Sequence, residues 1–177
     1  MTGVQTCALP IYEWRKNRNR NIEVWKKFQT LKNNSDLELV IIGNNLNHSE
    51  YEIVEENLIN KITIYQNVSR SEINYVYKNS ICVLNISKYE GFGMPLIEAN
   101  FWGKVAIYGG CESFREISGP GNINWDEHGD SPNFAKLFKK MLNSNNATLL
   151  RDHVLENHNS YLYASKLLSI YEKLLGD

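Results

Sequence analysis

The stretch Tyr89 to Ala99, YEGFGMPLIEA, sets two carboxylates, Glu90 and Glu98, on either side of a turn built from Gly91, Phe92, Gly93, Met94 and Pro95. Glycines allow a backbone to approach a ligand closely and to take angles that other residues avoid. Proline suits the first turn of a helix, where its missing N–H costs little, so a helix is predicted over Met94–Trp102. The open N–H groups and positive dipole end of that helix would point back at the loop, an arrangement that suits a phosphate. The dipole contributes only about 0.3–1 kcal/mol, or about 2 when partly buried; a dianion therefore needs a cationic partner as well. Glu98 lies one helical turn further in, close enough to share a crevice with Glu90. A carboxylate can accept two hydroxyls from a ribose or hexose, each charge-assisted bond contributing about 1.5–3 kcal/mol. The layout reads as a polyol and a phosphate recognised side by side. The spacing alone is weak and describes a capped helix with two solvated glutamates equally well. Specificity comes from EGFGMP lying after a strand and before a helix.

Those residues need a frame, and the rest of the chain supplies alternating signals. Apolar positions at Ile22, Val24, Trp25, Phe28 and Leu31 stripe one face of a helix over Asn21–Leu31. Leu37–Ile42, closed by Gly43, has the look of a strand buried on both faces. Helices are predicted at Tyr51–Leu58, from the cap-like Ser69 to Asn79, and at Asn133–Leu142, Leu149–Asn157 and Tyr161–Leu175; strands at Ile62–Tyr65, Ile81–Asn85, Val105–Tyr108 and Ile123–Trp125. Repeated strand–helix units imply an α/β fold, a doubly wound parallel sheet with helices on both faces. In such sheets ligands sit beyond the carboxyl ends of the strands where strand order reverses, which is where Glu90 falls.

Composition narrows the function. The 177 residues are enough for one domain with a real core, and 42% hydrophobic and 22% charged residues are those of a soluble globular protein. A net charge of −1 gives no general attraction to nucleic acid. No apolar run approaches the roughly 18 residues of a membrane helix, and a cytoplasmic setting, the inner face of a membrane included, is expected. Cys7, Cys82 and Cys111 form no CxxC pair, and His48, His128, His153 and His158 lack ligand spacing and read as surface or capping residues; no metal and no cofactor is expected. The four tryptophans, Trp14, Trp25, Trp102 and Trp125, read as packing residues. Arg18 and Arg20 read as a solvated helix start.

EGFGMPLIEA resembles the donor-site motif of retaining glycosyltransferases of family 4. Arg15-Lys16-Asn17, LELVIIG, the run from NVSRSEINYVYKNS, SFREI at Ser113–Ile117 and the closing ASKLLSIYEKLL fall in that family's order. The resemblance spans nearly all of Tyr12–Leu175 and implies a Rossmann-like domain, the nucleotide-sugar-binding half of a two-domain GT-B architecture. By position it implies that Glu90 contacts the donor sugar, that Glu98 holds the ribose, and that Gly91, Phe92, Gly93 and Met94 offer backbone amides to sugar and phosphate. Arg15 and Lys16 would be the cationic partner, stabilising the diphosphate as leaving group, with Asn67 and Val68 near the base. The implied reaction is transfer of a glycosyl group from a nucleotide sugar, with retention at the anomeric carbon and no metal, to an unidentified glycan, lipid or small-molecule acceptor. Lys104 stands where the family usually has a proline, which costs rigidity rather than chemistry. A non-catalytic sugar-nucleotide-binding or partner-regulating module of the same fold stays open, whereas both glutamates in place argue against an epimerase of related fold.

Met1 to Ile11, MTGVQTCALPI, is similar to a translated sequencing adapter, which makes Tyr12–Asp177 the expected domain. On that reading Cys7 is foreign, the upstream acceptor-binding domain is missing, and a fragment inactive alone is expected. The family's first strand would fall inside this segment, at the centre of a 3-2-1-4-5-6 sheet. Val4–Ile11 is therefore expected either to substitute crudely as a strand or to leave the core open.

Overall fold

The computed structural model describes residues 6–9, 14–30, 37–129, 133–141 and 144–176. In chain order the elements are β1 (Thr6–Leu9), a single 3-10 turn (Trp14–Lys16), α1 (Arg18–Thr30), β2 (Glu38–Ile42), α2 (His48–Ile53), α3 (Glu56–Ile59) and β3 (Ile62–Tyr65). There follow α4 (Arg70–Asn79), β4 (Ser80–Asn85), α5 (Met94–Phe101), β5 (Val105–Tyr108), α6 (Glu112–Ile117), β6 (Ile123–Asn124), α7 (Trp125–His128), α8 (Phe134–Met141), α9 (Ser144–Asn157) and α10 (Ser160–Leu175). The strands form one parallel sheet in the order β3-β2-β1-β4-β5-β6, the doubly wound arrangement expected. Of the two outcomes expected for the N-terminal segment, the backbone shows a strand: β1 lies between β2 and β4, its register against β4 shifting between Thr6 and Cys7.

The sheet is buried on both faces at β2, β4 and β5, because these strands are apolar at nearly every position and successive side chains point to opposite sides. Leu39 and Ile41 of β2, Cys82 and Leu84 of β4, and Val105 and Ile107 of β5 join one core with Trp25 and Phe28 of α1, Trp125 and the α8 phenylalanines. The alternate residues Val40, Ile42, Val83, Ala106 and Tyr108 join the other, with Tyr77 of α4, Leu96 and Ala99 of α5, and Phe114 of α6. Phe28 stacks on Phe138 at 5.0 Å and Phe134 at 5.5 Å, closing the first layer. Cys82, Trp25 and Trp125 are core residues, as expected.

Local departures from expectation have local causes. The helix placed at Tyr51–Leu58 is two short helices parted at Val54 and Glu55, and the first begins earlier, because Asn47 and Glu50 form a reciprocal capping box. The strand expected to reach Trp125 stops at Asn124, whose side chain accepts from the Asp126 N–H and starts α7. Arg18 is not solvated: it is 6% exposed, pairs with the buried Glu50 carboxylate, and donates to the carbonyls of Asn44 at 2.8 Å and Asn45 at 2.9 Å. Arg20 does sit at the surface, against Glu23 at 3.0 Å. Leu31 and Leu142, at the ends of two expected helices, lie outside the described residues. None of the helices formed by the described residues is long and apolar enough to cross a membrane.

Candidate active site

The segment leading into α1 and the loop that follows β4 meet near the carboxyl ends of the two central strands, braced by four bonds to backbone groups, two of which join one segment to the other. Asn17 adopts a left-handed conformation (φ 52°), which asparagine tolerates better than most residues, and turns the chain into α1. The side chain of Asn21, 3% exposed, donates to the carbonyls of Lys16 at 2.9 Å and Asn17 at 3.0 Å while accepting from the Ile86 N–H at 2.9 Å. The Lys88 N–H donates to the Arg15 carbonyl at 2.7 Å.

This bracing brings Lys16 to Glu90. The Lys16 Nζ lies 2.6 Å from Glu90 Oε1, with side-chain exposures of 13% and 6%. Ser87 Oγ lies 2.7 Å from the same oxygen and 2.9 Å from Asn85 Oδ1, although a hydroxyl carries a single proton. Turning the Asn85 amide over lets its buried NH2, otherwise without a partner, donate to Ser87 and leaves the serine proton for Glu90. From the far side, Ser113 Oγ donates to the Glu90 carbonyl at 3.0 Å, tying the loop to α6. Sequence reasoning missed Asn21, Ser87 and Ser113; a polar residue inside an apolar helix stripe was the only available hint, at Asn21.

Beyond Glu90 the chain turns through Gly93, which caps α5 with φ 99°. A β-carbon there would lie 2.8 Å from both Ile117 Cδ1 and the Phe114 ring, so glycine is required twice over, by angle and by space. Gly93 brings no side-chain acceptor, which leaves the opening N–H of α5 for a ligand. Phe92 and Met94 are exposed beside it; Phe92 meets His158 and Tyr163 edge-on at 6.3 and 6.2 Å. His158 is therefore not a plain surface residue. Burial first, and then the charge of His153, hold its imidazole below the usual range.

One turn into α5, Glu98 faces α4. Its Oε2 accepts from the Tyr77 hydroxyl at 3.0 Å, and its Oε1 lies 2.6 Å from Arg70. Burial, then the charge of Glu98 and the hydrogen bond to it, push the Tyr77 phenol well above its ordinary value, so it stays a donor. Asn67 (φ 52°) and the half-buried Val68 lead into Ser69, the N-cap of α4. The structure thus brings Lys16 and Glu90 together, with Arg15 joined to the same loop through its backbone carbonyl, and places Glu98 and the start of α4, beside Asn67 and Val68, on the α5 side. A cleft of about 460 Å³ lies next to these loops, lined by Asn17, Ser87, Lys88, Gly109, Gly110 and Asp126 among others; Arg15, Lys16, Glu90 and Glu98 do not line it. A second cavity, about 490 Å³, lies between the end of α1 and α3 and touches none of these residues. Among the described residues no group of three His, Cys, Asp or Glu side chains is placed to hold a metal ion.

The family model for glycosyl transferases group 1 matches residues 7–158. The chain belongs to that family. The C-terminal domain of a group 1 glycosyl transferase (LpcC) from Francisella tularensis superposes with a TM-score of 0.70 at 18% identity, over 89% of this chain and 88% of that one. A glycosyltransferase from Rickettsia africae gives 0.73 at 22% identity, over all of this chain and 49% of its own length. The Anabaena HepE protein, solved with UDP-glucose, gives 0.70 at 12% identity, over 97% of this chain and 49% of its own. No curated protein sequence matches the chain. The sheet and its flanking helices are thus those of a GT-B glycosyltransferase domain, and the chain spans about half the length of the two longer proteins it superposes on.

Proposed function

We propose that this chain is the donor-binding half of a retaining glycosyltransferase, taking a nucleotide sugar at the carboxyl ends of β1 and β4. The observation that carries the reading is the Lys16–Glu90 pair held at 2.6 Å beside the uncapped start of α5. A cation, a carboxylate and a helix N-terminus converge there, which is what a diphosphate attached to a polyol requires. Lys16 and Arg15 stabilise the negative charge that develops on the diphosphate as the glycosyl bond breaks. Glu90 accepts hydroxyls of the sugar, the amides of Gly91 to Met94 meet the sugar and phosphate, and Glu98 accepts the ribose hydroxyls. Asn67 and Val68, at the entry to α4, lie on the side of the base. No metal takes part in this scheme, and the acceptor is held by a second domain, so that the chain alone binds donor without transferring it. The UDP-glucose held by the Anabaena relative supports a nucleotide sugar as the ligand class. A cytoplasmic setting, at or away from a membrane face, goes with the proposal.

Isothermal titration of UDP-, GDP- and ADP-glucose into the chain tests it. One of the three is expected to bind, with Glu90→Ala and Glu98→Ala each weakening it at least tenfold. Affinities unchanged in both variants would sink the assignment.

A further inference from the structure

Tyr77 sits in the core on the α4–α5 side of the sheet, 3% exposed, in the same cluster as Val83 and Leu96. A phenylalanine would fill that space equally well, so the packing does not explain the hydroxyl. Its bond to Glu98 joins residues 21 positions apart on two different helices. The two oxygens of the carboxylate are held differently. Oε2 faces a donor whose ring is packed within the core. Oε1 faces Arg70, whose side chain is 63% exposed and free to swing on a long flexible stem. An incoming ligand can displace the second partner readily and the first only with difficulty.

We propose that Tyr77 is a positioning residue of the donor site: its hydroxyl fixes the Glu98 carboxylate so that Oε1, which pairs with Arg70, is presented to the ribose hydroxyls. The inference rests on the reading of Glu98 as the ribose-binding carboxylate. It gives a role to a buried hydroxyl that the packing of this layer does not require. An unpinned glutamate would have to be ordered when the ligand arrives, and a carboxylate ordered beforehand avoids that loss of side-chain freedom.

The test is Tyr77→Phe in the full chain, with binding of UDP, GDP and ADP and of their 2′,3′-dideoxy counterparts measured by calorimetry. For whichever nucleotide binds, the variant is expected to lose about tenfold in affinity, equivalent to about 1.4 kcal/mol, while its affinity for the dideoxy form equals that of wild type. Thermal melting of the variant within a few degrees of wild type is expected, since the ring is retained. Equal losses for both forms, or no loss for either, would overturn the role of Tyr77. Glu98→Ala separates the two levels: if it lowers affinity for the ribose form alone and Tyr77→Phe does not, only the positioning role falls. If Glu98→Ala changes nothing, or no nucleotide binds wild type, the ribose-site reading falls and Tyr77 with it.

Discussion

Replacing Arg18 by methionine should be among the most damaging single changes in this fold, although the residue lies outside the proposed site. Its guanidinium and the Glu50 carboxylate are 4% and 1% exposed, and Nε meets Oε1 at 2.6 Å in a two-pronged pair. Removing one member of a buried pair leaves an uncompensated charge and costs about 3–5 kcal/mol. Total stability for a domain of this kind is about 5–15 kcal/mol, so about a fifth or more is at stake. With about 2–4 °C of melting temperature per kcal/mol at this chain length, scanning calorimetry at pH 7 should show a fall of about 6–20 °C. The double variant Arg18→Met, Glu50→Met removes both charges, and such replacements are often close to neutral. Here it also strips donors from the carbonyls of Asn44 and Asn45 and the acceptor from the Asn47 N–H, but all three residues are exposed and water can take over. The double variant should therefore regain more than half of the loss. A single variant melting within 2 °C of wild type would show the pair to be worth no more than a surface one. A double variant no better than the single would show that the loops, and not the orphaned charge, set the cost.

Gly93→Ala forces a left-handed non-glycine residue, about 1–2 kcal/mol, and crowds Ile117 and Phe114, about 1–3 more; the urea midpoint should fall accordingly and nucleotide-sugar binding should be lost with it. Ser69→Ala removes the acceptor for the Glu72 N–H at the start of α4 and should cost about 0.5–2 kcal/mol in the same measurement. His158 titrates lower when folded than its ordinary 6.5, so the unfolded chain takes up its proton first. Its contribution is intact above that value and lost as the pH falls from it toward the lowered one; between pH 7.5 and 5.5 the melting temperature of wild type should drop further than that of His158→Asn.

Much of the frame was legible because strands buried on both faces announce themselves in the sequence. ELVII, SICVLN and VAIY are apolar throughout or nearly so, and the structure divides their alternate residues between two cores. Ser69 and Pro95 marked helix starts because capping is local chemistry, read within four residues. Asn47-His48-Ser49-Glu50 carried the same kind of signal and was overlooked, which shifted α2. What could not be read were partners remote in sequence. Arg18 and Glu50 are 32 apart, and Lys16 and Glu90 are 74 apart. Nothing short of the strand order decides that an arginine at a helix start is buried or that a lysine after β1 meets a glutamate after β4. Within the candidate site, residue types were legible but their bonding partners, Asn21, Ser87 and Tyr77, were not.

Both carboxylates proposed to hold the donor are already paired with a cation: Glu90 with Lys16 and Glu98 with Arg70. Binding is then an exchange of partners. A diphosphate that draws Lys16 away strips Glu90 of its cation in a place only 6% exposed. The sugar hydroxyls of a complete donor would replace that cation, whereas a bare nucleoside diphosphate offers nothing in return. Glu90→Gln removes the competition: the lysine is freed for phosphate and no unpaired carboxylate remains. Its affinity for the free diphosphate should therefore rise, by up to about tenfold if the partly buried pair contributes about 1.4 kcal/mol. Its advantage for the sugar-bearing form over the free diphosphate should shrink at the same time. Calorimetry of wild type and Glu90→Gln with UDP and UDP-glucose, or the matching pair for whichever base binds, measures both effects in one series. A Glu90→Gln variant that binds the free diphosphate more weakly than wild type would show that the carboxylate helps to organise Lys16 for phosphate, and the exchange described here would be wrong.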